Sequence, residues 1–297
     1  MATKAQLRTS VLMLCGSHSQ LTAAAVNEFL ESEDRAILEI RDWERRYATT
    51  VLGVSAPYTT GTVSITSGTA GVVGVGTTFT SAMVGRFIRI AGLESYYKIT
   101  AFVDATNLTI EAAWVEATQT GKTYSVFQSV IALPSDCEKV VAVKSRRDPL
   151  DEKTTAYFDA MDPSRVSTSS DPTDWANADR NSSGVRQIEI WPPVTAAQPI
   201  WVRYQKVADL SSDSSTPLYL SDLLKWRAAS DAAAFLFAKT NDQTWAALGK
   251  SWFQLYLDAL NEETINDLSK SSTNKAASPS ASNPGGDFYL NHDAWNP

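Results

Sequence analysis

Histidine and cysteine are nearly missing from these 297 residues, with two of each, and what chemistry the chain can support is limited by that. His18 stands where a helix would begin and His292 lies far down the chain. A Ser-His-Asp site needs a buried, oriented imidazole, and neither position offers one. No G-x-S-x-G elbow occurs. Cys15 and Cys137 are too few for a disulfide framework and read as reduced, partly buried thiols. On that reading the sequons at Asn107 and Asn181 are accidental. Cys15 with His18 is the only near pair of soft ligands, which is short of a metal site. Long apolar runs are also absent: none reaches the length of a membrane span. The stretch Val11-Leu12-Met13-Leu14-Cys15 is too short for one and lacks the small-x-small cleavage pattern of a signal peptide. Positive charge is in deficit, at a net of −7 with no basic block. Such a chain does not grip duplex DNA, although it can form a wall past which DNA slides.

Two features imitate a site. Gly71-Val72-Val73-Gly74-Val75-Gly76 is glycine-rich, but no G-x-G-x-x-G spacing and no G-K-[ST] follows, so the glycines read as a hairpin. The acidic pairs Asp151-Glu152 and Glu262-Glu263 read as solvated charge rather than a glycosidase pair. The tryptophans Trp43, Trp114, Trp175, Trp191, Trp201, Trp226, Trp245 and Trp252 invite a carbohydrate-platform reading, but most stand at core-like positions and read as core aromatics. The expectation is therefore no catalytic residue, no cofactor, no metal, and no enzyme.

What is present is a succession of distinct textures. A short amphipathic helix runs up to Gly16, its stop. Residues 17–47 predict one long helix capped by Ser17 or Ser19, with apolar Leu21, Ala25, Phe29, Ala36, Ile37, Ile40, Trp43 and Tyr47 near the helical period. Its opposite face is assigned Glu31, Asp34, Arg35, Arg41, Asp42 and Arg45. Over 58–127 short alternating runs with glycine turns predict a small antiparallel sandwich or barrel. Further on, runs at Lys139-Val140-Val141-Ala142-Val143, Gln187-Ile188-Glu189-Ile190-Trp191 and Ile200-Trp201-Val202-Arg203-Tyr204 are expected to share one antiparallel sheet. Two helices follow, with a break at Thr240-Asn241-Asp242. From residue 271 the composition turns to serine, alanine, asparagine, proline and glycine and reads as an extended tail. Phe288, Tyr289 and Trp295 on that tail read as a docking segment for a partner.

The expected fold class is α+β. A helical core, built from the long N-terminal helix packed on the C-terminal helices, carries a small antiparallel sheet and an inserted all-β sandwich or barrel module. The expected domains are a discontinuous core of 1–57 plus 128–270, the module of 58–127 and a tail of 271–297.

The order of short motifs resembles the head-to-tail adaptor (head-completion or connector) proteins of tailed bacteriophages. The resemblance runs from Leu12-Met13-Leu14-Cys15-Gly16 through Ile40-Arg41-Asp42-Trp43 to Ile131-Ala132-Leu133-Pro134-Ser135-Asp136. It continues with Ile188-Glu189-Ile190-Trp191-Pro192-Pro193, Trp201-Val202-Arg203-Tyr204 and Pro217-Leu218-Tyr219-Leu220. The segment from Gly61-Thr62-Val63-Ser64 to Gly121-Lys122-Thr123-Tyr124 looks like a β-module of phage structural proteins. The resemblance implies a virion protein of the neck, assembled in the host cytoplasm as a ring, commonly of twelve copies. It would contact the portal protein, neighbouring copies of itself and tail or nozzle proteins, with DNA passing through its channel unbound and no membrane involved. An acidic wall suits that role, because it repels phosphate and lets the duplex move. The competing readings are a tail-fibre or receptor-binding protein holding host glycan on the β-module, and a glycan-cleaving enzyme.

Overall fold

The computed structural model describes residues 2–40, 43, 46–207, 209–219 and 221–276, with side chains as far as residue 264. These divide into two compact units, one within Met1–Ala48 and Lys206–Asp287, the other Thr49–Gln205.

In the first unit Thr3 opens α1 (Lys4–Leu14) with a reciprocal cap. Its hydroxyl accepts from the Gln6 N–H at 3.3 Å while Gln6 Oε1 accepts from the Thr3 N–H at 2.9 Å. The Lys4 and Ala5 N–H groups donate to the carbonyls of Ser215 and Asp213, which satisfies donors that a helix start leaves free. Gly16 and Ser17, at φ +60° and +50°, end the helix.

The helix read over 17–47 is shorter at both ends. It is α2 (Ala23–Ile40), and Thr22 rather than Ser17 or Ser19 accepts from the first turn, at 3.2 Å from the Ala25 nitrogen. Beyond Ile40 the buried Trp43 turns back, donating its indole N–H to the Ile37 carbonyl at 2.8 Å. Tyr47 then opens a strand, β1 (Tyr47–Val54), whose Thr49-Thr50-Val51 run favours extended backbone. Arg41, Asp42 and Arg45 lie outside the described residues.

The unit closes with the hairpin of α4 (Ser221–Thr240) and α5 (Gln243–Ala276), which follow a short α3 (Thr155–Met161) in the second unit. Asn241 makes the turn at φ +55°, and the Asp242 carboxylate accepts from the Thr244 N–H at 2.9 Å where α5 begins. Ala228, Ala229, Ala232 and Ala233 are fully buried on α4. Opposite them Gly249 has no side chain, and a Cβ there would stand 3.3 Å from that of Ala233. Leu7, Val11, Val26, Leu30, Ile37, Trp43, Tyr219, Leu223, Leu236 and Trp252 complete this core.

The second unit is β throughout except for α3. Seven strands make its largest sheet: β2 (Thr62–Ile65), β3 (Gly71–Val75), β4 (Phe87–Ile90), β5 (Tyr96–Asp104), β6 (Asn107–Ile110), β7 (Gln119–Lys122) and β8 (Tyr124–Phe127). They run in the order β7-β2-β3-β6-β5-β4-β8, every neighbour antiparallel. Alternate residues of β2, β3, β4 and β6 are buried. The sheet curls so that Val63, Ile65, Val72, Ile88, Ile90, Ile99, Leu108 and Val126 share one core with Phe79, Met83 and Trp114. Gly71–Val75 is thus a strand, with its glycines admitting close neighbours: a Cβ on Gly74 would meet the Thr77 hydroxyl at 2.4 Å.

The remaining strands are β9 (Val130–Ala132), β10 (Cys137–Lys144), β11 (Asp151–Lys153), β12 (Asp174–Ala178), β13 (Gln187–Trp191) and β14 (Gln198–Lys206). Their three expected runs do not share a sheet. β10 and β14 join β1 in the order β1-β14-β10, whereas β13 sits in β11-β12-β13-β9. Burial explains the division: β14 alternates buried and half-buried residues, but Ile188, Glu189 and Ile190 are all buried in β13.

The expected fold class is overturned by these findings. Among the described residues fourteen strands accompany five helices, and the fold is mostly β, with a curled seven-stranded sheet and a C-terminal helix pair. No long N-terminal helix forms a helical core, since α1 and α2 have 11 and 18 residues. The apolar residues Trp43 and Tyr47 keep the helical spacing past the point where the helix stops. The period alone therefore overran the break.

Candidate functional site

The residues singled out by type are held in structural roles. Cys15 is buried, and burial pushes its thiol up to about 11; Cys137 is buried too, and burial raises it. His18 Nδ1 accepts from the Gln20 N–H at 3.3 Å, and its ring meets the edge of Trp245 at 5.9 Å. Asp151 and Glu152 are exposed on β11, while Glu263 is buried and Glu262 exposed. Trp43, Trp114 and Trp175 are fully buried, Trp252 is buried, and Trp191, Trp201, Trp226 and Trp245 are partly so. Among the described residues no group of three His, Cys, Asp or Glu side chains is arranged to hold a metal ion, and no helix is long and apolar enough to cross a membrane. Phe288, Tyr289, Trp295 and His292 lie outside the described residues.

An ionic network of the first unit joins α2 to α4. Glu33 accepts from Arg227 Nε at 2.8 Å, and Arg227 lies 3.8 Å from Asp231 one turn along α4. Asp34 was read on the outward face of its helix, yet it is 3 % exposed and accepts from the Tyr219 hydroxyl at 2.8 Å. Burial pushes its carboxyl up to about 6, against the pull of the Tyr219 hydrogen bond. Burial also raises Asp231, opposed by Arg227. The signal for Asp34 is in the sequence: it lies four residues after Leu30 and three before Ile37, on the apolar stripe itself. Lys4 is likewise buried, paired with Glu31 at 2.5 Å.

In the second unit the corresponding centre is Arg165, which spacing did not reveal. It is 3 % exposed, adopts φ +49° and donates to Glu189 of β13, to Asp159 of α3 and to the Asp162 carbonyl, each at 2.7 Å. Burial works against its charge, but Glu189 and Asp159 hold the guanidinium above its ordinary value. Burial works against Asp162 as well. The N–H groups of Val166 and Ser167, both at 2.9 Å, outweigh it and keep that carboxyl below its usual range. Arg89 of β4 donates to the Ser164 and Arg165 carbonyls at 3.1 and 2.7 Å, and so fastens the seven-stranded sheet to this loop.

One concave surface stands out in the first unit. Ser230, Ala234 and Phe237 of α4 and Trp245, Ala246, Gly249, Lys250 and Phe253 of α5 line a groove of about 370 Å³. Its walls are aromatic and its floor is the close approach of the helices, where Ser230 Oγ donates to the Gly249 carbonyl at 3.1 Å. Phe253, one wall, is exposed, with the Arg227 guanidinium 5.2 Å from its ring centre. A groove with such walls can take an apolar or aromatic group.

The family model of the SU10 adaptor protein matches residues 77–281, more than half of the chain, and the chain belongs to that family of phage adaptors. It is a bacteriophage structural protein, a virion component that contacts other virion structural proteins. No curated protein matches it.

Proposed function

We propose that this adaptor forms a closed ring of twelve copies at the neck, joining portal to tail and extending the channel through which DNA leaves the head. The observation that carries this reading is the family match, which runs from the seven-stranded sheet through the C-terminal helix pair. The net charge of −7 supports it, since an acidic channel wall lets duplex DNA slide without holding it. A ring of identical subunits uses one heterologous, head-to-tail interface that closes on itself. The role is structural and not catalytic. In support, the displaced ionisable groups Asp34, Arg165 and Asp231 each have an internal partner, Tyr219, Glu189 and Arg227. Phe288, Tyr289 and Trp295 serve as a partner interface, and assembly takes place in the host cytoplasm.

Gradient sedimentation with the portal of the same phage tests the reading. The chain alone is expected near the top of the gradient, as free subunits, and to move with the portal when the two are mixed. A chain that stays at the top beside an intact portal contradicts it.

A further inference from the structure

We propose that the groove between α4 and α5 of one copy receives the Asp287-Phe288-Tyr289 segment of a second copy. The inference rests on the ring reading only for the presence of an adjacent copy. The groove offers about 370 Å³ between Phe237, Trp245 and Phe253, room for aromatic side chains packed edge to face. Lys250 stands on its rim, exposed, and has no hydrogen-bond or ion-pair partner among the described residues. The segment matches both features, with two adjacent aromatic residues preceded by an acidic one. Asp287 meets Lys250 while Phe288 and Tyr289 enter the apolar slot, the arrangement of a buried anchor with a charged rim.

Reach decides which copy supplies the segment. Ala276, the last residue of α5, is 27 residues beyond Gly249, about 40 Å along a helix rising 1.5 Å per residue. Phe288 is twelve residues further, and twelve residues span at most about 43 Å when drawn straight. A return to its own groove therefore demands a linker drawn out to most of its full length through Pro284-Gly285-Gly286, with the loss of much of its conformational freedom. A groove on an adjacent copy is not bound by that separation along α5.

The test is disulfide trapping in the full-length chain, whose own Cys15 and Cys137 are buried and stay out of the reaction. Ala246→Cys is made in one sample and Tyr289→Cys in another, and the two are mixed under mild oxidation, alone and with portal. The expected result is a mixed disulfide dimer at least tenfold above a Ser280→Cys control, lost when Ala234→Trp fills the groove beside Ala246→Cys. Two outcomes overturn the proposal: no mixed dimer above the control, or an intrachain bond in dilute double variant Ala246→Cys/Tyr289→Cys without mixed dimer. Portal-bound rings lacking the mixed disulfide would overturn the tail seat and leave the ring intact. A mixed disulfide without any portal-bound ring would sustain the seat and count against the ring.

Discussion

Asp34 shows how much one buried carboxyl can control. Its pKa in the folded chain is about 6 against an ordinary 3.8, so the folded state holds this proton more tightly than the unfolded chain. Stability from the proton is complete below pH 4 and is lost as pH rises through 6, a change on the order of 2–3 kcal/mol. Asp34→Asn keeps an acceptor for the Tyr219 hydroxyl and removes the titration. Urea unfolding of the wild type between pH 4.5 and 7.5 should show declining stability, and the Asn variant a flatter profile by about that amount. An unchanged decline would assign the titration to other groups. Arg165 makes the opposite case. Truncating it to Met strands Glu189 in the interior and should cost about 3–5 kcal/mol, while the double variant Arg165→Met/Glu189→Met recovers most of the loss. Equal losses in single and double variants would show that the ion pair is not what Arg165 contributes. Neither centre was legible as such. Asp34 sat on the apolar stripe but was assigned by charge, and Arg165 meets Glu189 across 24 residues of loop and strand, which no spacing rule connects.

Among the elements, those with a strong period were easiest to read. The C-terminal helix pair and its break at Asn241 follow from the apolar spacing and turn residues, and the alternation of β2, β4 and β6 survives in their burial. The three-residue strands β9 and β11 carry too few side chains to show a period, and β13, buried on both faces, has no alternation to reveal its sheet. The helix pair itself hinges on Gly249. Gly249→Ala gains about 1 kcal/mol of helix propensity and meets Ala233 at 3.3 Å, so calorimetry should find it near neutral. Gly249→Leu crowds Ala233 and the Ser230 carbonyl where the helices meet and should cost about 1–3 kcal/mol. A neutral Leu variant would mean that the helices are not in close contact there.

At the scale of the whole molecule, the seven-stranded sheet begins and ends at one place. Tyr58 and Val126 exchange backbone hydrogen bonds at 2.8 and 2.9 Å, so a short link can replace what lies between. Substituting residues 59–128 by a few Gly and Ser residues is expected to leave a remainder that melts cooperatively in calorimetry; a remainder without a transition would refute its independence. That the chain is a phage adaptor was legible because the reading rests on the order of short motifs along the chain, and order outlasts errors in element length such as that of α2. The proposed place in the virion is the claim on which the account turns. Electron cryo-microscopy of the phage that encodes this chain tests it most directly. The account predicts twelve copies as a ring coaxial with the portal at the neck, the channel running through it. Copies found on fibres or at the distal tail, with no ring below the portal, would contradict it.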